Sequence, residues 1–110
     1  MTLFEKIIAG QIPGDIVYED DWCVALRDID PKAPVHVLVV PRKPIPKVSD
    51  ASEADAEILG HCMLATAKVA KAAGLTDYRV VVNNGAAVGQ SVFHIHLHVL
   101  GGRKMGWPPG

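Results

Sequence analysis

The sequence predicts a single antiparallel α+β domain, on three observations. Five short segments carry strand patterns, while only one long stretch and one short one repeat at helical spacing. Strands follow strands with few strand–helix alternations, which disfavours a doubly wound sheet. A chain of 110 residues, 49% hydrophobic and 21% charged, has the size and composition of one soluble core.

Taken in order, Thr2-x-x-Glu5 has the form of a capping box, and Leu3, Phe4, Ile7 and Ile8 give a helical stripe that Gly10 ends. Ile12-Pro13-Gly14 breaks the chain. Residues 16–19 and 22–26 read as a hairpin through Asp20-Asp21, and Pro31 and Pro34 stiffen the loop that leaves it. Residues 36–40 form a third strand closed by Pro41. Ser52 and Asp55 open the long helix, whose stripe is Ile58, Leu59, Cys62, Met63, Thr66, Val69 and Ala73. Gly74 ends it. Residues 78–83 make a fourth strand and residues 91–100 contain a fifth, separated by the polar, glycine-rich stretch 84–90. The Gly- and Pro-rich tail from Gly101 cannot be helical.

Composition excludes several functions. A net charge of −1, with 11 scattered Lys and Arg, argues against nucleic acid as a partner. No apolar run approaches the roughly 20 residues of a membrane span, and the first residues lack a signal-peptide pattern, so the cytoplasm is expected. Cys23 and Cys62 lack any C-x-x-C spacing and read as buried thiols of a reducing compartment.

The chemistry concentrates in His94-Ile95-His96-Leu97-His98-Val99-Leu100, where three of the five histidines alternate with apolar residues. Strand periodicity places the three imidazoles on one face. Three readings arise. A solvated strand face would more often carry Thr, Lys, Glu or Ser. In a metal site, two of the rings could share a zinc ion, but three span roughly 13 Å and no carboxylate is near in sequence. Catalysis at phosphorus or acyl carbon needs a neutral, nucleophilic imidazole, which histidine supplies at cellular pH. It is favoured by Asn83-Asn84-Gly85 and Gly89-Gln90-Ser91 just upstream, whose small residues, amides and hydroxyl suit an anion.

The seven residues from His94 to Leu100 resemble the His-φ-His-φ-His-φ-φ motif (φ, apolar) of the histidine triad (HIT) hydrolases and transferases. The likeness extends to residues 3–8, Ile12-Pro13, Glu19-Asp20, Asp28-Ile29-x-Pro31-x-Ala33-Pro34-x-His36, Val82-Asn83, Gly89-Gln90-Ser91 and Gly101-Gly102-Arg103. The ending Trp107-Pro108-Pro109-Gly110 is similar to the nucleotide-binding (HINT) branch.

This resemblance implies one HIT domain over residues 1–110, with residues 101–110 as a C-terminal arm. It implies a five-stranded antiparallel sheet with one long and one short helix, joined to a partner's sheet across a two-fold homodimer. It also implies hydrolysis of purine nucleoside 5′-phosphoramidates through a nucleotidyl-histidine intermediate, without metal or other cofactor.

Carried over by residue, His96 would be the nucleophile, and His98 would bind phosphate and assist proton transfer. His94 would orient its neighbours, and His36 would be the fourth histidine. Asn83, Gly89, Gln90 and Ser91 would face the phosphate, with Ser91 also donating to the leaving group. Asp28 would accept from the ribose hydroxyls. Leu3, Phe4, Ile7, Leu26 and Ile29 would line the base pocket, and Trp107 would reach toward the partner's site. His61 matches nothing catalytic. Asn84 and Gly106 depart from residues common in relatives, which puts leaving-group preference in doubt. Related possibilities are a dinucleoside polyphosphate hydrolase or nucleotidyl transferase of the same superfamily, or a non-catalytic nucleotide sensor.

Overall fold

The computed structural model describes all residues, 1–110. Helix α1 (Leu3–Ile8) is followed by strands β1 (Ile16–Glu19), β2 (Cys23–Arg27) and β3 (Val35–Pro41). Helix α2 (Ala56–Ala72), β4 (Tyr78–Val81) and β5 (Leu97–Gly101) complete the chain. The strands form one antiparallel sheet in the order β1-β2-β3-β5-β4, as the α+β reading expects.

Local chemistry sets the ends of these elements. Thr2 caps α1 reciprocally: its hydroxyl accepts from the Glu5 amide at 3.2 Å, and the Glu5 carboxylate accepts from the Thr2 amide at 3.0 Å. Asp20 closes the β1–β2 hairpin by accepting from the Trp22 and Cys23 amides, both at 2.8 Å. Ser52 and Asp55 start the long helical region through a 3-10 turn at Glu53–Asp55, and Lys43 bonds the buried Asp55 carboxylate. Gly74 has φ of 77° just past α2, where a side chain would be strained.

Sheet alternation divides the core in two. Cys23, Ala25, Val37, Val39, Leu97 and Val99 pack against Cys62, Ala65, Val69 and Ala70 of α2. Leu26, Leu38 and Val40 pack against Phe4 and Ile7 of α1. Val39, Val40 and Val99 have no exposed surface, and each contributes roughly 1.5–3 kcal/mol by leaving water. Both cysteines are fully buried and unpaired. No helix is long and apolar enough to cross a membrane.

Three expected boundaries move. The inward stripe of α2 is Cys62, Ala65, Thr66, Val69 and Ala70; Met63 is half exposed and Ala73 lies past the helix end. Strand β4 stops at Val81. Strand β5 starts only at Leu97, so His94 and His96 lie on the approach to it. Pairing with β3 ends at Val39↔Leu97, and the Ile95 amide bonds instead to the Ile45 carbonyl at 2.8 Å. The Pro44–Pro46 connection thus captures the segment that alternation alone assigns to the sheet.

Candidate active site

The register of β3 and β5 assembles the first pair of the site. His36 pairs with Leu100 and Leu38 with His98, so both imidazoles emerge on the α1 side of the sheet. Their rings lie 5.1 Å apart, and His36 Nε2 is 2.8 Å from His98 Nδ1. The Lys32 amide donates to His36 Nδ1 at 3.0 Å, so the His36 proton sits on Nε2 and is given to His98 Nδ1. His98 therefore carries its own proton on Nε2. Asp28 Oδ2 lies 3.4 Å from His36 Nε2 and shares that donor. The Arg103 guanidinium bonds the Lys32 carbonyl, tying the β2–β3 loop to the end of the chain.

A parallel logic orders the other two rings. His94 has no exposed surface, and its Nε2 donates to the Pro41 carbonyl at 2.7 Å. His96 Nδ1 donates to the His94 carbonyl at 2.8 Å, which leaves the Nε2 lone pair of His96 available for attack. The Phe4 ring packs edge-on against both, at 5.0 Å from His96 and 5.9 Å from His94. The His96 and His98 rings are 5.0 Å apart. Backbone carbonyls thus select the tautomers of His94 and His96, a backbone amide that of His36 and the His36 ring that of His98, and no side-chain carboxylate takes the role of orienting the nucleophile.

Burial disfavours the charged forms of His36, His94 and His98. Desolvation, helped by the neighbouring His96 and His36, pushes His98 down to about 4, and desolvation also lowers His36 and His94. With folded values below the unfolded one, the unfolded chain binds more protons, so stability is complete above about pH 6.5 and falls as pH drops toward 4. His98 should contribute the largest share of the loss between pH 7 and pH 5. Urea midpoints at the two pH values check this; an equal drop in wild type and His98→Ala would contradict it.

The loop before the histidines is built differently from its expected role. Gln90 is 3% exposed, and its Nε2 donates to the Pro46 and Val92 carbonyls at 2.8 and 3.1 Å. Its Oε1 accepts from the Gly85 amide, and its own amide bonds the Gly85 carbonyl. Gln90 is thus a brace that shapes the loop, and its donors are spent before any phosphate arrives. Gly89 has φ of 106°, and a Cβ there would lie 3.6 Å from the Asn83 amide nitrogen. Ser91 is exposed. Asn84 Oδ1 accepts from the Ser49 amide at 2.8 Å and so anchors the loop.

Of the residues expected around a base, Phe4, Ile7 and Leu26 form one buried cluster beside His96. Leu3 is 46% and Ile29 98% exposed, so these two are not part of that cluster. Trp107 is 84% exposed on the arm, which Arg79 holds through the Gly106 carbonyl at 2.8 Å. A cavity of about 530 Å³ reaches Asp28 and His36 but is otherwise lined by residues such as Tyr18, Val69 and Ala72, and includes neither His96 nor His98.

Comparison with known proteins accords with this geometry. The sequence profile of the HIT domain matches residues 9–105. The chain belongs to the HIT domain family. An uncharacterised HIT-like protein of Synechocystis is 56% identical over 110 residues, covering 99% of this chain and 96% of the relative. A protein of Zea mays named 14 kDa zinc-binding protein is 49% identical over 112 residues, covering 99% and 88%. Among solved structures, a HIT family hydrolase from Legionella pneumophila superposes with a TM-score of 0.96 at 46% identity, each chain fully covered. A HIT family hydrolase from Clostridium thermocellum gives 0.92 at 45% identity, covering 96% of this chain and 93% of that one.

In this HIT domain the tertiary structure supplies the carboxylate that no residue adjacent in sequence could. Asp28, His36 and His98 bring potential metal-ligand atoms within 4.8 Å of one another. They do not fit a resident zinc ion as they stand. Tetrahedral nitrogens held at about 2.0–2.1 Å from zinc would sit roughly 3.3 Å apart, whereas these two are 2.8 Å apart and bonded to each other. Sequence reasoning also missed Lys32, Pro41 and Thr2 as partners of the histidines. Two of the three act through backbone groups, which leave no side-chain signature, and Thr2 showed itself only as a helix cap.

Proposed function

We propose that this HIT protein is a hydrolase of purine nucleoside 5′-phosphoramidates. The observation that carries the reading is the 2.8 Å bond from His96 Nδ1 to the His94 carbonyl, which aims the Nε2 lone pair outward. In the first step that lone pair forms a bond to the α-phosphorus and the P–N bond breaks. The departing amine takes a proton from Ser91, and the imidazolium character developing on His96 is eased by its Nδ1–H bond to the carbonyl. In the second step water attacks the nucleotidyl-His96 phosphorus and gives a proton back to Ser91, the P–N bond to His96 breaks, and the nucleoside monophosphate leaves with the Nε2 lone pair restored.

His98 Nε2–H and the Asn83–Ser91 loop are the donors suited to charge on the phosphoryl oxygens. Asp28 is the acceptor for ribose, and Phe4, Ile7 and Leu26 form the apolar surface for the base. That two related proteins of known structure are named HIT family hydrolases supports the hydrolytic reading. Protein quenched during turnover of an adenosine phosphoramidate should carry a nucleotidyl mass on the peptide containing His96. Turnover without that adduct, even under rapid quench, would refute the covalent step. Diadenosine polyphosphates offered alongside separate the reading from a polyphosphate hydrolase, and unchanged turnover in chelator is expected.

The same reading takes the working form as a homodimer. Strand β4 is an edge of the sheet, and beside it lies a groove of about 500 Å³ lined by Val48, Leu59, Met63, Val82, Ile95 and Leu97. Exposed Met63 and Val48 would lose water against a second copy. Sedimentation equilibrium should give twice the chain mass, and Met63→Asp should shift it toward the monomer; a monomeric wild type would overturn this.

A further inference from the structure

We propose that Thr2 is a positioning residue for the nucleophile, acting through the hidden ring of His94; this rests on the phosphoramidase reading above for its kinetic arm. The argument is an inventory of protons. His94 is fully buried and gives its Nε2 proton to the Pro41 carbonyl at 2.7 Å, so its Nδ1 is an acceptor that water cannot reach. The group beside that nitrogen is the Thr2 hydroxyl, at 3.1 Å. A hydroxyl has one proton and two lone pairs. One lone pair accepts the Glu5 amide of the capping box, and the single proton satisfies His94.

The cap of α1 and the orientation of the catalytic strand segment are thus made by one oxygen atom. His94 in turn offers its carbonyl to His96 Nδ1, so the order passes from Thr2 to His94 to the nucleophile. Helix α1 also carries Phe4, whose ring packs edge-on against both imidazoles. A helix of six residues, too short to stand alone, is stapled to the histidines at its first turn by a hydroxyl and a ring.

The two duties of Thr2 can be separated chemically. Thr2→Ser keeps the acceptor and the proton. Thr2→Asp keeps a good cap acceptor but has no proton to give, so it should draw a solvent proton onto His94 Nδ1 and recast the ring as an ion. Thr2→Val removes both functions at similar volume.

Thr2→Ser is expected to hold kcat and KM within about twofold, whereas Thr2→Asp should lose about tenfold in kcat at unchanged KM and unchanged melting temperature. Thr2→Val should lose the same factor in kcat and melt lower as well. Nitrogen-15 NMR of the histidine rings gives a readout independent of turnover. His94 Nδ1 should be unprotonated in wild type and Thr2→Ser, and protonated in Thr2→Asp. If wild type fails to turn over phosphoramidates, the functional reading falls while the NMR arm still decides the Thr2–His94 link. An unprotonated Nδ1 in Thr2→Asp, or a Thr2→Asp kcat within about twofold of wild type, overturns the proposal.

Discussion

His96→Ala is expected to lower kcat for an adenosine 5′-phosphoramidate by about 10⁴-fold or more, with nucleotide binding retained. Two consequences of the geometry separate this from simple damage to the fold. His96 makes its hydrogen bond to a backbone carbonyl that is 2.8 Å away, so its removal breaks no side-chain network. The ring is 8% exposed and touches Phe4, so its loss should cost about 1–3 kcal/mol of packing and leave the domain folded. Steady-state kinetics with fluorescence titration of AMP would check both halves. A residual kcat within about a hundredfold of wild type would mean that another group attacks phosphorus. His98→Ala is expected to fall short of this loss, because His98 Nε2–H stabilises charge without forming a bond.

Gln90→Ala is expected to have the second-largest effect, and chiefly on stability. Its amide makes three hydrogen bonds inside the protein, to Pro46, Val92 and Gly85, from a side chain that is 3% exposed. Cutting them leaves two carbonyls and one amide without partners, at a cost of about 3 kcal/mol. The loop that precedes the histidines should then loosen, raising KM by about tenfold while kcat falls less. Urea unfolding and initial rates on the same preparation measure the two effects. Gln90→Glu sharpens the test, since a carboxylate still accepts from Gly85 but repels the Pro46 and Val92 carbonyls. If instead Gln90→Ala lowers kcat at unchanged stability, the side chain contacts phosphate directly and the brace assignment is wrong.

The two predictions show where inference from sequence is strong and where it gives out. His96 stands out because alternating histidines are chemically conspicuous and sit in a motif of defined spacing. Gln90 stands out in the Gly89-Gln90-Ser91 stretch just upstream, yet the partner expected for it is phosphate and its actual partners are peptide groups. A side-chain amide suits both uses. Which one it serves depends on whether Pro46, 44 residues earlier, crosses beside it.

The fold was legible at the level of local chemistry. Capping at Thr2 and Ser52, the break at Pro13-Gly14, the Asp20 turn and the stop at Gly74 are all short-range effects, and each appears where expected. The misplacements are long-range ones. Met63 faces outward because the sheet meets α2 along Cys62, Ala65, Thr66 and Val69, a rotation that the hydrophobic repeat alone does not define. The fifth strand is shortened because the Ile45 carbonyl captures the Ile95 amide.

The sequence by itself therefore determined the element types, the antiparallel α+β class and the cluster of histidines, since these depend on periodicity and residue chemistry within a few positions. Only the tertiary structure decided which nitrogen of each ring carries the proton. That choice rests on Pro41, Lys32, Thr2 and the His94 carbonyl, groups placed around the rings by strand register and chain crossing. An imidazole offers two nearly equivalent nitrogens, so its sequence position is silent on the tautomer. The hydrogen bond made by one nitrogen leaves the other free to react.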